Sequence, residues 1–102
     1  MADLNIKLNV GRMVAVEHYT GKSLNQIIRD TESDAGMSLA VLRGMLAAGT
    51  QPAALSMMGV SIGWEEERRA DALLTEHGIA ACASAVGSAL AAFLRTIETR
   101  AA

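Results

Sequence analysis

The sequence has few aromatic residues: Trp64, Tyr19 and Phe93 are the only ones. Hydrophobic residues nevertheless make up 51% of its 102 residues. The core must therefore be built from Leu, Val, Ile, Met and Ala. That composition favours closely packed helices over a β-sandwich, and the length suits a single domain.

Cysteine and excess charge are also scarce. A single cysteine, Cys82, excludes an internal disulfide framework and fits a reducing cytosol. The 9 Lys and Arg residues nearly balance the 11 Asp and Glu residues, which leaves a net charge of −2. The basic residues are scattered, so no patch is available to neutralise phosphates. We therefore expect no nucleic-acid partner.

A charge-free run covers residues 79–94. It is shorter than the ~20 apolar residues that a membrane span needs, and Ala, Ser and Gly dominate it. We interpret it as a buried, close-packed central helix of a soluble domain and expect no membrane partner. The first residues, MADLNIKLNV, also lack the pattern of a signal peptide.

The N-terminal residues alternate between apolar and polar side chains. Leu4, Ile6 and Leu8 are separated by polar neighbours, a period that predicts a short half-buried strand. A lone strand leaves backbone groups unpaired, and no second strand is evident. The segment is therefore disordered, extends the first helix, or pairs with another copy or a partner. We favour self-association through these three side chains.

The rest of the chain reads as helices. Local signals at their ends include Gly21 and Gly78 as C-terminal caps and Ser23 and Ser38 as N-terminal caps. The predicted helices cover about residues 9–19, 23–30, 39–49, 52–58, 64–77 and from 79 onward. Gly44, inside the third helix, indicates close approach of a neighbouring helix. The predicted fold class is mainly α. It is one domain, 1–102, forming a compact bundle of about five or six helices, with residues 1–8 as a strand or arm.

Residues that carry chemistry are few. His18, His77 and Cys82 lack the spacing of a metal site, and apolar neighbours make Cys82 a buried core residue. The triplet at 21–23, GKS, lacks the first glycine of a phosphate loop, and we interpret it as a helix cap. We expect no catalytic residue, metal, cofactor or small-molecule substrate, and hence no enzyme.

Two segments carry a family resemblance: EHYTGKSL at residues 17–24 and LRGMLAAG at 42–49. Together with an acidic helix ending in EHG and an Ala-rich last helix, they resemble the small phage tail assembly chaperones and their gene transfer agent relatives. The resemblance extends from Leu8 to Phe93 and depends on the order and spacing of short motifs. Members of that family often begin with an additional strand that is missing here.

The resemblance implies a non-enzymatic protein that binds the tape-measure protein and helps recruit tail-tube subunits. It would act in the cytoplasm of the bacterial host and be absent from the finished particle. Our candidate partner contacts are Met57, Met58, Val60, Leu90, Phe93, Leu94 and Ile97. The last four also fit an ordinary core stripe. An alternative function is a small helical phage-encoded regulator or inhibitor that acts by protein–protein binding.

Overall fold

The computed structural model describes residues 4–32, 36–51 and 62–101, with side chains up to residue 97 in the last helix. Within these ranges the chain forms five helices, which are α1 (Val10–Thr20), α2 (Leu24–Glu32), α3 (Leu39–Gly49), α4 (Trp64–His77) and α5 (Ile79–Ala101). The predicted mainly helical fold is confirmed. The Cα radius of gyration, 12.8 Å, is about the value that 2.2·N^0.38 gives for a compact domain. The helix predicted over 52–58 lies outside the described residues.

The centre of the bundle is α3. Eight of its eleven residues are buried, and it packs against α1, α4 and α5. Arg43 is its only charged residue, so neighbours can enclose the helix on most sides without burying unpaired charge. The alanine content predicts the last helix in this central position, and that prediction is wrong.

The last helix, α5, is buried along one stripe only. Cys82, Val86, Leu90 and Phe93 form the stripe, while the exposed face consists largely of alanine and serine. By length and composition alone, Ile79–Ile97 is long and apolar enough to cross a membrane, and 22% of it is buried in the fold. A core helix of a soluble protein meets the same criterion. Small side chains permit close packing but do not require it. The high alanine content was therefore not enough to predict a central position for this helix.

The helix ends follow the local sequence signals. Gly21 adopts a φ of 71° and donates its N–H to the Glu17 carbonyl, ending α1. Gly78 has a φ of 87° and ends α4 in the same way on the Leu74 carbonyl. Ser38 Oγ accepts the Val41 N–H at the start of α3. These predicted caps are confirmed.

Gly44 lies where α1 crosses α3. A Cβ atom placed on it would lie 3.0 Å from Cδ2 of Tyr19 and 3.6 Å from Cγ2 of Thr20. The predicted close approach of a neighbouring helix at Gly44 is therefore confirmed, and the neighbour is α1.

Residues 4–8, which we call the strap, belong to no helix or strand within the described part of the chain. The predicted N-terminal β-strand is therefore wrong. The alternation itself holds, since Leu4, Ile6 and Leu8 are half-buried against the core and the residues between them are exposed. The Lys7 N–H donates to the Gly49 carbonyl at 2.9 Å. The strap thus packs on the end of α3 instead of pairing edge to edge.

Candidate partner-binding surface

The candidate partner contacts predicted from the sequence fall in different environments. Leu90 and Phe93 are buried in the core, and Leu94 is half-buried against it. Ile97 is 36% exposed. Met57, Met58 and Val60 lie outside the described residues. Most of the surface of Leu90 and Phe93 is therefore buried in the core, as their interpretation as core residues predicts.

An apolar groove of about 340 Å³ separates the N-terminal end of α1 from the C-terminal half of α5. Its lining consists of Leu8, Asn9, Val10, Phe93, Thr96 and Ile97. The groove brings together residues that the sequence analysis predicts for two different contacts. Leu8 was expected to contact a second copy, and Phe93 and Ile97 were expected to contact a partner.

The two polar residues of the groove use their side chains within the chain. Asn9 Oδ1 accepts the Arg12 N–H at 2.9 Å and caps α1. Thr96 Oγ1 donates to the Ala92 carbonyl at 3.1 Å. Among the residues whose side chains the structure describes, none that lines the groove is charged. A partner that fills it must therefore contribute an apolar surface, since a buried charge would find no counterion there.

The groove continues onto an exposed apolar ridge on α1. Val10 is 62% exposed and Val14, one helical turn later, is 43% exposed. Residues four apart lie on the same face of a helix. The valines thus extend the apolar surface along α1, away from the groove.

Beside the groove, Arg12 joins the strap to the end of α3, a role that sequence reasoning missed. The guanidinium donates to the carbonyls of Lys7 at 2.9 Å, Gly49 at 3.0 Å and Gln51 at 2.8 Å. Arg12 is 4% exposed. The sequence offers one hint of this role, which is that Arg12 lies three residues after the Asn9 cap. The acceptors of its guanidinium are backbone carbonyls, and these leave no pattern in the sequence.

A charged cluster ties α1, α3 and α4 together elsewhere. The Tyr19 hydroxyl donates to Glu67 Oε2 at 2.6 Å, and Arg43 makes two hydrogen bonds to Asp71, at 2.8 and 2.7 Å. Burial, followed by the bond to Glu67, raises the pKa of Tyr19 above its ordinary value. The hydrogen bonds to Asp71 raise the pKa of Arg43. The cluster joins the three helices through these hydrogen bonds.

The segment 17–24 forms the joint between α1 and α2. The Glu17 carboxylate accepts the Leu24 N–H at 2.7 Å, and Ser23 Oγ accepts the Gln26 N–H at 3.2 Å. A carboxylate of the chain itself therefore occupies the helix N-terminus at which a phosphate would bind. This confirms the interpretation of GKS as a helix cap.

The remaining candidates for chemistry are Cys82, His18 and His77. Cys82 is fully buried, its Sγ lies 3.6 Å from the Leu73 carbonyl, and burial raises the pKa of the thiol. This confirms Cys82 as a core residue. His18 is exposed, whereas Nε2 of His77 is buried and has no hydrogen-bond partner within the described residues. No group of three or more His, Cys, Asp or Glu residues suited to a metal ion occurs in the described part of the chain.

Trp64 is a further exposed feature that the sequence patterns did not indicate. It begins α4, is 63% exposed, and has the guanidinium of Arg68 5.4 Å from its ring centroid. Exposed tryptophan and arginine side chains are enriched in binding hot spots. Composition revealed a lone Trp, but its exposure depends on the direction of α4 in the bundle.

Comparisons with protein-family models, with curated proteins and with solved structures gave no match to this chain.

Proposed function

We propose that this protein is a non-enzymatic assembly chaperone of phage or gene transfer agent tails, which binds the tape-measure protein and helps recruit tail-tube subunits. The family resemblance supports this function. So does one observation on the fold: an apolar groove that continues into the exposed valines of α1. Such a surface suits the apolar face of a helix.

A long helical client with apolar stripes aggregates when those stripes have no partner. A small domain that covers one stripe reversibly would keep the client soluble until the tail tube encloses it. In our proposal the groove receives the apolar side chains of one client helix, and Val10 and Val14 extend the contact along that helix. The net charge of −2 helps to keep the complex soluble.

Co-expression of the tagged protein with the neighbouring tail genes, followed by affinity capture and quantitative mass spectrometry, tests the proposal. We expect recovery of the tape-measure protein from the wild type. Val10→Glu and Ile97→Glu should each reduce this recovery roughly tenfold, because each places a charge at the apolar contact.

Ile79→Glu is the matched control. Ile79 is 59% exposed, close to the 62% of Val10, and lies at the other end of the helix that carries Ile97. This variant should leave recovery unchanged. Equal recovery from all three variants would count against the groove as the contact. Capture of a host enzyme instead of the tape-measure protein would favour a regulator or inhibitor.

A further inference from the structure

Arg12 is a buried cation held by carbonyl oxygens alone. The ion pairs formed among the described residues do not include it, and its guanidinium instead contacts the carbonyls of Lys7, Gly49 and Gln51. Burying a cation without a counterion is costly. The carbonyls at the C-terminus of α3 offset part of this cost, because the negative end of the helix dipole lies there. An apolar residue would fill the same space at lower cost, so the arginine calls for an explanation.

The three acceptors belong to two separate parts of the chain. Lys7 lies in the strap, whereas Gly49 and Gln51 lie at and just after the end of α3. A single planar guanidinium donates to both and so fixes the distance between them. The adjacent residue, Leu8, is the strap's contribution to the groove lining. The position of that wall thus depends on Arg12.

The strap has further contacts besides the hydrogen bond from Arg12. One backbone hydrogen bond, from Lys7 to Gly49, joins the strap to α3 within the described residues. The side chains of Leu4, Ile6 and Leu8 are half-buried, and apolar contacts are not directional. Two directional contacts therefore hold the strap among the described residues: this backbone hydrogen bond and the Arg12 hydrogen bond to the Lys7 carbonyl. Of the two, only the Arg12 contact also reaches Gln51.

We propose that Arg12 is the positioning residue of the groove: it sets the strap so that Leu8 faces Phe93 and Ile97 at the spacing that admits one apolar helix face. The occupant is the apolar face of one partner helix, because the lining offers mainly apolar side chains and, among those described, no charge that could pair with a charged partner. The identity of the partner rests on the function proposed above. The position of Leu8 does not, and it can be measured without a partner.

Arg12→Met and Arg12→Lys each remove the hydrogen bonds by which the guanidinium joins the strap to α3. Methionine has no donor, and the single ammonium of lysine cannot span three carbonyls in the geometry of a guanidinium. In the wild type, nuclear Overhauser contacts should join the Leu8 methyl groups to the Phe93 ring. Both variants should lose these contacts while retaining the wild-type helix content. They should also bind peptides from the tape-measure protein roughly tenfold more weakly.

A disulfide between the strap and α3 tests whether the position of the strap is what Arg12 provides. The Cβ of Ile6 lies 3.6 Å from the Cβ position of residue 49, within the range of a disulfide. We would introduce Ile6→Cys and Gly49→Cys with Cys82→Ala into the Arg12→Met protein. Oxidised glutathione should restore both the Leu8–Phe93 contacts and the peptide affinity, and reduction should abolish both.

Arg43→Met is the stability control, because it removes the bridge from α3 to Asp71 and Glu67 on α4, away from the groove. It should lower Tm without changing peptide affinity. Should Arg12→Met fail to fold, Arg12→Lys with and without the disulfide serves for the same comparison.

The outcomes separate the two proposals. Leu8–Phe93 contacts that persist in both Arg12 variants would overturn the positioning role. A disulfide that restores those contacts but not the affinity would overturn it as well. If the wild type binds no tape-measure peptide while the contacts depend on Arg12 as described, the client proposed above is wrong and the positioning role stands.

Discussion

Gly49 lies where the strap crosses the end of α3. A Cβ atom there would be 2.5 Å from Cγ2 of Ile6. Gly87, inside α5, is the opposite case, because a Cβ atom on it would meet nothing within 4 Å. Both residues are helical, so the gain in helix propensity on replacement with alanine is similar, up to about 1 kcal/mol. Their surroundings therefore decide whether alanine at each position raises or lowers the free energy of unfolding.

Gly49→Ala should lower the free energy of unfolding by about 1–3 kcal/mol, because the strap must move to relieve the overlap. Gly87→Ala should raise it by about 0.5–1 kcal/mol. Urea denaturation followed by circular dichroism measures both. Stabilisation by both substitutions would mean that Ile6 is not seated against α3.

At the scale of the elements, the cluster around Tyr19 joins three helices. Arg43 Nη1 lies 3.2 Å from Glu67 Oε2, and the same carboxylate oxygen accepts the Tyr19 hydroxyl proton. The proton of Tyr19 therefore belongs to the contact between α1 and α4. Loss of that proton places a second negative charge beside Glu67.

Stability should fall at alkaline pH because of this contact. The pKa of Tyr19 is raised in the folded protein above its ordinary value of 10.0, so the folded state holds the proton more tightly than the unfolded state. The contribution is complete below that ordinary pKa and is lost as pH rises through the folded pKa. Tyr19→Phe should flatten this decline in urea midpoints measured across the alkaline range.

The control for this titration is the Cys82→Ala background, since burial raises the pKa of that thiol too and its ionisation adds a decline of the same sign. Tyr19 is the only tyrosine, so ultraviolet absorbance reports its ionisation alone. Identical alkaline declines with and without the Tyr19→Phe substitution would show that the hydroxyl contact does not contribute.

The elements also show what local sequence can and cannot predict. Helix ends were predictable because caps depend on a few neighbouring residues, as at Gly21 and Ser38. The alternation in residues 4–8 correctly indicated which side chains are covered. It could not identify the backbone partner, because period two describes the faces of a segment and not its neighbours. Arg12 could not be assigned from sequence, since its acceptors are carbonyls that only the fold brings together.

At the scale of the whole molecule, the strap has two candidate uses. Its apolar side chains pack on the core of their own chain, and self-association through Leu4, Ile6 and Leu8 stays a prediction. Unpaired strand edges are not a reason for self-association, because the strap forms no strand. The remaining reason is that these side chains are only half-buried and can bury more surface against a second copy.

Deleting residues 1–7 should lower the oligomer mass measured by light scattering, because it removes Leu4 and Ile6. Asn5→Ala is a suitable control, since Asn5 is exposed between the two apolar positions and should leave the mass unchanged. An unchanged mass in the deletion variant would exclude the strap as the oligomer contact.

The bond between Lys7 and Gly49 also constrains the order of events during synthesis. The strap is translated before α3, and the carbonyl that holds it is translated more than 40 residues later. At about 5–20 residues per second, that delay is roughly 2–8 s. During this interval the nascent chain displays three alternating apolar side chains with no place to dock. A protein proposed to cover another chain's apolar surface therefore has an uncovered apolar segment of its own during this part of its synthesis.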